Sequence, residues 1–238
     1  MPDFGSLISK SLFQPSQEDQ PFDTELFERI MKDNVDGLVL LDGTENKAVI
    51  FFHDNYGNVT HYTQKLKMLH KKYPGYDIWT FDYPSFGRSP GTPNASTLVN
   101  KSLDFLRALS KKYTSWIWVA EGLGTAVCVN VLDQMSIIGD KIPTKIILIN
   151  PFISIGSMAV ERQKGVNAKM VVKSAGYEMK IMKTISSCIA RYKQSMPVIE
   201  VYRTKINDEV PIEQTEAVAK SAHVDMKIIS GDHRHYSL

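Results

Sequence analysis

The chain has 238 residues, of which 43% are hydrophobic and 23% charged, and its 28 lysines and arginines nearly balance its 26 aspartates and glutamates. This composition excludes a wholly disordered or collagen-like chain. The net charge of +2 gives no indication of nucleic-acid binding, which concentrates positive charge on one face. No apolar run approaches the roughly 18 residues that a membrane span needs, and the first 23 residues lack the apolar core of a signal peptide. The length predicts one domain of about 200–250 residues.

The two cysteines, Cys128 and Cys188, lie in apolar stretches of sequence without the spacing of a metal site or a CxxC motif. We therefore expect buried thiols rather than a disulfide or metal ligands. Free thiols are typical of a reducing compartment, so we expect a cytoplasmic protein. We expect no cofactor and no metal.

After an irregular lead-in over residues 1–22, apolar runs alternate with helical patterns along the chain. Strands are predicted at residues 38–41, 48–52, 77–81, 116–120, 145–150, 197–202 and 224–229. Helices are predicted at residues 59–71, 96–110, 125–135 and 213–221. This alternation predicts an α/β fold with a mostly parallel central sheet flanked by helices. Such sheets bind ligands at the carboxyl ends of their strands, so chemistry is expected in the loops beginning at His53, Asp82, Glu121, Asn150, Lys205 and Gly231.

Six segments at the predicted strand ends carry recognisable motifs. They read HDNYGN at 53–58, DYPSFGRSPGTP at 82–93, WVAEGLGTAV at 118–127, LINPF at 148–152, NDEVPIEQ at 207–214 and SGDHRH at 230–235. Taken in order, they resemble the loops of the α/β-hydrolase superfamily, and more narrowly of its serine esterase, lipase and acyl-thioesterase branch. The resemblance covers about residues 35–238. It implies a single α/β-hydrolase domain over residues 23–238, with a short cap-like insertion at 156–185.

The resemblance implies that the nucleophile position is degenerate. Gly122 stands where the G-x-S-x-G elbow of the family places its serine, with Ala120 and Gly124 at the flanking glycine positions. Glycine adopts the strained torsions of this turn without a Cβ penalty, so the turn is kept while no acyl-enzyme can form. Three other serines in strand-end loops are more typical of turn formers than of replacement nucleophiles: Ser85, Ser89 and Ser154.

The resemblance also assigns the acid and the base. His233 corresponds to the catalytic histidine, with His235 as the lesser candidate, whereas His53 is expected to anchor the oxyanion loop. The acid position falls on Asn207 or, allowing a one-residue deletion, on Asp208, and the sequence leaves both open. An asparagine there would leave the histidine without the carboxylate that fixes its tautomer.

The oxyanion loop departs from the family pattern as well. By the resemblance, the backbone amides of Asn55 and Leu123 hold the oxyanion-hole positions. Asp54 stands where the family usually has glycine. Its carboxylate either opposes a developing oxyanion, which that site stabilises with hydrogen-bond donors, or turns outward and hydrogen-bonds the loop.

The cap-like insertion has a distinctive composition. Between residues 156 and 183 it carries six basic residues against Glu161 and Glu178, a net charge of +4. The basic residues are Arg162, Lys164, Lys169, Lys173, Lys180 and Lys183. It also holds four methionines, Met158, Met170, Met179 and Met182. Adaptable methionines beside lysines favour a binding face for a protein partner or an anionic membrane surface; the alternative is a solvated cap whose methionines cover the core.

These departures lead to the hypothesis of a catalytically inactive α/β-hydrolase-fold protein, a pseudoenzyme with a binding or structural role. The alternative is a serine hydrolase acting on acyl esters or thioesters, seen here as a variant lacking its nucleophile. A third hypothesis is water activation by His233, which requires a base poised near neutral pH. Expected partners are a protein or larger assembly at the cap and an acyl-type small ligand in the cleft, with no nucleic acid.

Overall fold

The computed structural model describes residues 9–42, 46–162 and 167–238, without the side chains of Ser136 and Arg162. In these ranges ten strands are found: β1 (Gln14–Pro15), β2 (Glu28–Lys32), β3 (Val35–Leu40), β4 (Lys47–Phe52), β5 (Tyr56–Gly57), β6 (Asp77–Phe81), β7 (Ser115–Glu121), β8 (Lys145–Ile149), β9 (Val198–Ile206) and β10 (Met226–Asp232). Eight of them form one sheet in the order β2-β3-β6-β4-β7-β8-β9-β10. Strand β3 is antiparallel to both of its neighbours, and the other neighbouring pairs are parallel. The predicted α/β class is thereby confirmed.

Seven α-helices join the strands within the same ranges: α1 (Thr63–Lys72), α2 (Ala95–Ser110), α3 (Leu123–Ile138), α4 (Ile155–Arg162), α5 (Ala168–Ser174), α6 (Ile181–Tyr192) and α7 (Ile212–Ser221). A 3-10 turn, Val59–Tyr62, leads into α1. Most predicted elements recur with ends shifted by a few residues. None of the described helices is both long and apolar enough to cross a membrane.

Helices cover both faces of the sheet, and the period-two alternation of the strands divides the core accordingly. In β4, Ala48, Ile50 and Phe52 belong to one apolar cluster, while Val49 and Phe51 belong to the cluster on the opposite face. All five side chains are buried. This explains the continuous apolar run, because a central parallel strand has no solvated face. The sheet therefore holds its strand ends, and the loops that follow them, on a rigid base.

Three strands were missed in the sequence. Strand β2 pairs with β3 through a two-residue turn at Asp33 and Asn34, whose φ angles of 53° and 59° fit the mirror-image turns of tight hairpins. Strand β1 pairs in parallel with β5. It lies in the predicted irregular lead-in, which also contains a helical turn at residues 9–12; residues 1–8 of that lead-in are outside the described ranges.

Helices α4, α5 and α6 lie between β8 and β9, where the cap-like insertion was predicted. Its methionines divide into two kinds: Met158 and Met179 are buried in the core, whereas Met170 and Met182 are exposed. The alternative in which all four cover the core is therefore wrong for two of them. Lys164 and the side chain of Arg162 lie outside the described residues.

Candidate functional site

The turn between β7 and α3 is a sharp strand-to-helix elbow. Gly122 occupies its apex with φ 50° and ψ −118°, a left-handed region that glycine enters without steric cost. Two hydrogen bonds fix the turn: the Gly122 N–H donates to the Ile149 carbonyl at 3.1 Å, and the Thr125 hydroxyl donates to the Gly122 carbonyl at 2.6 Å. The predicted elbow is thus formed at the carboxyl end of a central strand, with no side chain at its apex.

The Asp54 carboxylate fills the space beside this glycine. Its Oδ1 accepts the Leu123 N–H at 2.7 Å, and the side chain is buried. A Cβ atom added to Gly122 would lie 2.1 Å from that same Oδ1. Of the two orientations expected for Asp54, the outward one is wrong: the carboxylate turns inward, onto a predicted oxyanion-hole amide.

His233 faces Asp54 from the loop after β10. Its Nε2 lies 2.8 Å from Asp54 Oδ2, while its Nδ1 lies 3.4 Å from the side-chain amide nitrogen of Asn150. The Asn150 Oδ1 accepts the Thr204 N–H at 3.0 Å, so the amide presents its NH₂ side to the imidazole. This arrangement assigns an unprotonated Nδ1 to the neutral ring and places its proton on Nε2, pointing at Asp54.

Within this buried pair, Asp54 and His233 each favour the charged form of the other, whereas the Asn150 NH₂ that faces Nδ1 favours the neutral ring. Burial raises the pKa of Asp54, but the hydrogen bond and charge of His233 and the amides of Leu123 and Asn55 outweigh burial and hold that pKa below its usual value. Burial lowers the pKa of His233, yet the hydrogen bond and charge of Asp54 raise it above its usual value. Both directions are those of an ion pair.

The two acid candidates of the sequence are placed near His233 without bonding it. Asn207 uses its Oδ1 to accept the N–H groups of Glu209 and Val210 at 3.1 and 2.9 Å, which makes it a turn former. Asp208 is exposed, and in the described part of the chain neither side chain hydrogen-bonds His233. The Oε2 of the neighbouring Glu209 lies 3.9 Å from His233 Nε2.

The other two histidines singled out in the sequence have different surroundings. His53 is fully buried; its Nδ1 lies 2.7 Å from the Asp54 carbonyl, and its ring packs on Tyr83 at 4.2 Å between centroids. It therefore stands beneath the oxyanion loop rather than in the cleft. The His235 side chain is 85% exposed, which leaves His233 as the histidine facing the elbow.

A buried charge cluster beneath the elbow escaped the sequence analysis. Lys65 Nζ lies 2.7 and 2.6 Å from the two carboxylate oxygens of Glu121, and the Tyr236 hydroxyl donates to the same carboxylate at 3.1 Å. The Lys65 ammonium also sits 3.7 Å from the centre of the Tyr236 ring. The cluster ties α1, the end of β7 and the C-terminal loop together. In the sequence, this cluster was indicated only by Lys65, which falls on an otherwise apolar face of α1.

The remaining cleft is narrow and largely apolar. It is lined by Leu12, Asp54, Asn55, Gly122, Leu123, Phe152, Ile155, Met158, Glu209, Val210 and His233, and its volume is about 30 Å³. That is room for about one or two water molecules. Among the described residues no group of three or more His, Cys, Asp or Glu side chains could hold a metal ion.

Comparison with known proteins gives distant relatives. No family model matches the chain. The uncharacterized protein R595 of Acanthamoeba polyphaga mimivirus is 29% identical over 140 residues, which cover 53% of this chain and 46% of that protein. The lysophosphatidylserine lipase ABHD12 of Xenopus tropicalis is 30% identical over 117 residues, which cover 47% of this chain and 29% of the lipase. Each match thus spans less than half of the curated relative.

Solved structures resemble almost the whole chain. An esterase of Pyrococcus furiosus, Pf2001, gives a TM-score of 0.63 at 15% identity and covers 92% of this chain and 89% of its own. A putative hydrolase of Agrobacterium vitis gives 0.62 at 14% identity, with 90% and 93% covered. Carboxyl esterase 2 of Tuber melanosporum gives 0.62 at 12% identity, with 97% and 87% covered. The sheet order, the elbow and these likenesses together show that the chain has the α/β-hydrolase fold.

Proposed function

We propose that this protein is a catalytically inactive α/β-hydrolase-fold protein, a pseudoenzyme that serves as a binding or structural component. The observation that carries the proposal is the position of the Asp54 carboxylate. It accepts the Leu123 amide at 2.7 Å and contacts His233 Nε2 at 2.8 Å, so one side chain occupies both the donor that would stabilise an oxyanion and the base that would activate a serine.

Two further features support the proposal. Gly122 brings no nucleophile to the elbow, and loss of the nucleophile lowers turnover about a million-fold in well-studied triads. The His233 Nδ1 faces the NH₂ of Asn150 instead of a carboxylate, so an imidazolium formed during catalysis would lack its usual partner. The loss of function is thus distributed over the nucleophile, the oxyanion hole and the acid, as expected for a site no longer maintained for turnover.

The test is hydrolysis by the wild-type protein. Because curated relatives include lysophosphatidylserine lipases, lysophosphatidylserine is the first ester to assay, followed by a short p-nitrophenyl ester. We expect no hydrolysis above background and no labelling by a fluorophosphonate probe. Turnover that disappears in His233→Ala would overturn the proposal and would favour water activation by His233, because Gly122 offers no serine.

A further inference from the structure

Residues 9–20, here called the strap, lie against strand β5 and the loop that follows β6. The Gln14 N–H donates to the Asn55 carbonyl at 2.7 Å, and the Ser16 N–H donates to the Gly57 carbonyl at 2.9 Å. These bonds add the strap to β5 as a parallel strand. On the other side, the Gly87 N–H donates to the Ser16 carbonyl at 3.1 Å. The strap is therefore bound through its backbone, in the manner of a peptide added to a strand edge.

Two apolar side chains anchor the first part of the strap. Leu12 and Phe13 are 7% and 3% exposed, although residues 14, 15 and 17–20 of the strap are exposed. Leu12 lines the cleft beside Phe152 and Met158, and Phe13 meets the edge of Tyr177 in the cap at 5.6 Å between ring centroids. The apolar pair thus bridges the oxyanion loop and the cap helices.

An acidic side chain anchors the second part. Asp19 bonds Arg29 and Arg88, the latter at 3.0 Å, and these contacts hold the pKa of Asp19 below its usual value against a smaller effect of burial. Arg29 is also paired with the buried Asp36. Because Asp36 holds Arg29 in place independently of the strap, the cationic end of the groove is preorganised for a carboxylate.

We propose that this groove is a peptide-binding site, occupied in cis by the strap and open to a partner peptide when the strap is displaced. The chemistry of the seat defines the partner. The expected partner is an extended peptide segment with two adjacent large apolar residues, as at Leu12 and Phe13, and an acidic residue six positions after the second, as at Asp19. The groove supplies the apolar seat now filled by Leu12 and Phe13, the strand edge of β5, and the arginine pair. This inference extends the proposed binding role, but it rests on other residues than Asp54 and Gly122.

The strap has the character of a separable unit. Its strand pairing involves two residues of β5 and none of the eight-stranded sheet, so its release leaves that sheet intact. Of residues 21–27, which join it to β2, five are exposed, whereas Phe27 is buried. Because the strap is tethered, its effective concentration at the groove is high and it competes with a free peptide. The apparent affinity for the free peptide equals the affinity of the open groove multiplied by the fraction of molecules in which the groove is open.

The experiment uses the full chain and a fluorescent peptide with the sequence of residues 9–20, SKSLFQPSQEDQ. One variant weakens the strap in cis at both anchors, Phe13→Ala with Asp19→Asn. A milder one carries Asp19→Asn alone, at a partly exposed position, in case the double variant folds poorly. Asp23→Asn, just beyond the strap, is the matched control. Hydrogen exchange at the Gln14, Ser16 and Gly87 amides reports whether the strap opens while the sheet stays protected.

We expect both strap variants to bind the peptide more tightly than wild type, the double variant by about tenfold or more, and the Asp23→Asn control to match wild type. Arg88→Ala, added to either strap variant, should reduce the gain in peptide affinity. A peptide of scrambled sequence should not bind. The proposal is overturned if the strap amides exchange faster in the variants while the peptide still does not bind. It is equally overturned if those amides exchange only with global unfolding. Ester hydrolysis is measured separately, so either proposal can fail without the other.

Discussion

At the scale of single residues, the glycine at position 122 and the inward orientation of Asp54 depend on each other sterically. The elbow has no room for a side chain because the Asp54 carboxylate is held there by the Leu123 amide and His233. Conversely, the carboxylate fits only because residue 122 lacks a Cβ, which would lie 2.1 Å from Oδ1. A serine at 122 and an inward aspartate at 54 are therefore mutually exclusive without rearrangement.

The first prediction concerns the stability of Gly122→Ser. The serine would be strained at φ 50° and would force the Asp54 carboxylate, whose Oδ1 lies 2.1 Å from the added Cβ, to shift within its buried ion pair, so we expect a loss of about 2–4 kcal/mol in the free energy of unfolding. Urea denaturation measures it. Gly139→Ser is the matched control, because Gly139 has φ 73° but no atom within 4 Å of an added Cβ; it should lose only about 1–2 kcal/mol.

The coupling of the two residues gives the decisive comparison. In the double variant Asp54→Gly with Gly122→Ser the carboxylate is gone, so the serine should cost less than it does alone, and the two effects should not add. Equal losses for Gly122→Ser and Gly139→Ser would contradict the steric account of the elbow.

The second prediction is the pH dependence of the Asp54–His233 pair. The pKa of His233 is raised in the folded state, so its stabilisation is complete below its unfolded pKa of about 6.5 and is lost as the pH rises through the folded pKa. The pKa of Asp54 is lowered, so its contribution is complete above about pH 4 and is lost as the pH falls through the folded pKa. The pair therefore stabilises the fold most between about pH 4 and 6.5.

Asp54→Asn tests this dependence. We expect it to lower the free energy of unfolding by about 1–3 kcal/mol in that window, as for a hydrogen bond to a charged group. The difference from wild type should shrink as the pH rises from about 6.5 through the raised pKa of His233, above which the imidazole is neutral in both proteins. Denaturation curves at several pH values measure the difference, and a difference independent of pH from 4 to 9 would show that the two groups carry no charge interaction.

At the scale of elements, the Lys65–Glu121 pair joins α1 to the end of β7. Burial raises the pKa of the Glu121 carboxyl and lowers the pKa of the Lys65 ammonium, so burial opposes both charges and each depends on the other. Because the Tyr236 hydroxyl also bonds Glu121, the cluster holds the C-terminal loop that carries His233. Its role is thus to set the position of that loop against the sheet.

The third prediction follows from the mutual dependence of that pair. Lys65→Met leaves the Glu121 carboxylate buried and unpaired, so we expect a loss of about 3–5 kcal/mol in the free energy of unfolding. The double variant Lys65→Met with Glu121→Gln should lose less than the single variant, because no isolated charge remains. Lys72→Met, at the exposed end of the same helix, should change stability by about 0.5 kcal/mol or less. A double variant as unstable as the sum of both single variants would contradict this reading.

The elements also show what the sequence could and could not predict. Buried strands such as β4 and β7 were predictable because continuous apolar runs mark central parallel strands. Strand β2 was missed because Glu28–Lys32 has only exposed and half-buried residues, and its signal was the Asp33–Asn34 turn. Strand β1 has two residues and exists only through β5, a tertiary pairing that no local pattern encodes.

For the candidate site, the sequence predicted which loops meet but not all of the contacts that their side chains make. The resemblance predicted Gly122, His233 and the Leu123 amide as site positions, and the structure places all three around Asp54. Their function stays a prediction. The resemblance could not identify Asn150 as the neighbour of His233 Nδ1, since that contact depends on a positive φ of 51° at the end of β8. It also left the direction of Asp54 open, because an aspartate after a strand can face either way until its donors are placed.

At the scale of the whole molecule, an ordinary hydrolase scaffold carries three local departures at one end of its sheet. The elbow carries glycine, the Leu123 amide at the predicted oxyanion-hole position is bonded to Asp54, and Leu12 of the strap lines the cleft. None of these alters the sheet order or the core, so the fold is preserved while its strand-end loops are occupied by groups of the chain itself.

The most direct test of this account is fluorophosphonate labelling of three proteins: wild type, Gly122→Ser, and Asp54→Gly with Gly122→Ser. We expect no labelling of the first two: the wild type has no serine, and in Gly122→Ser the shifted Asp54 carboxylate still competes with the serine for the Leu123 amide and His233. We expect labelling only in the double variant, where serine, His233 and the free Leu123 amide are present together. Its rate should stay below that of a complete triad, because His233 Nδ1 still faces Asn150 instead of a carboxylate. Strong labelling of Gly122→Ser alone, or of the wild type, would contradict the claim that Asp54 occupies the catalytic centre.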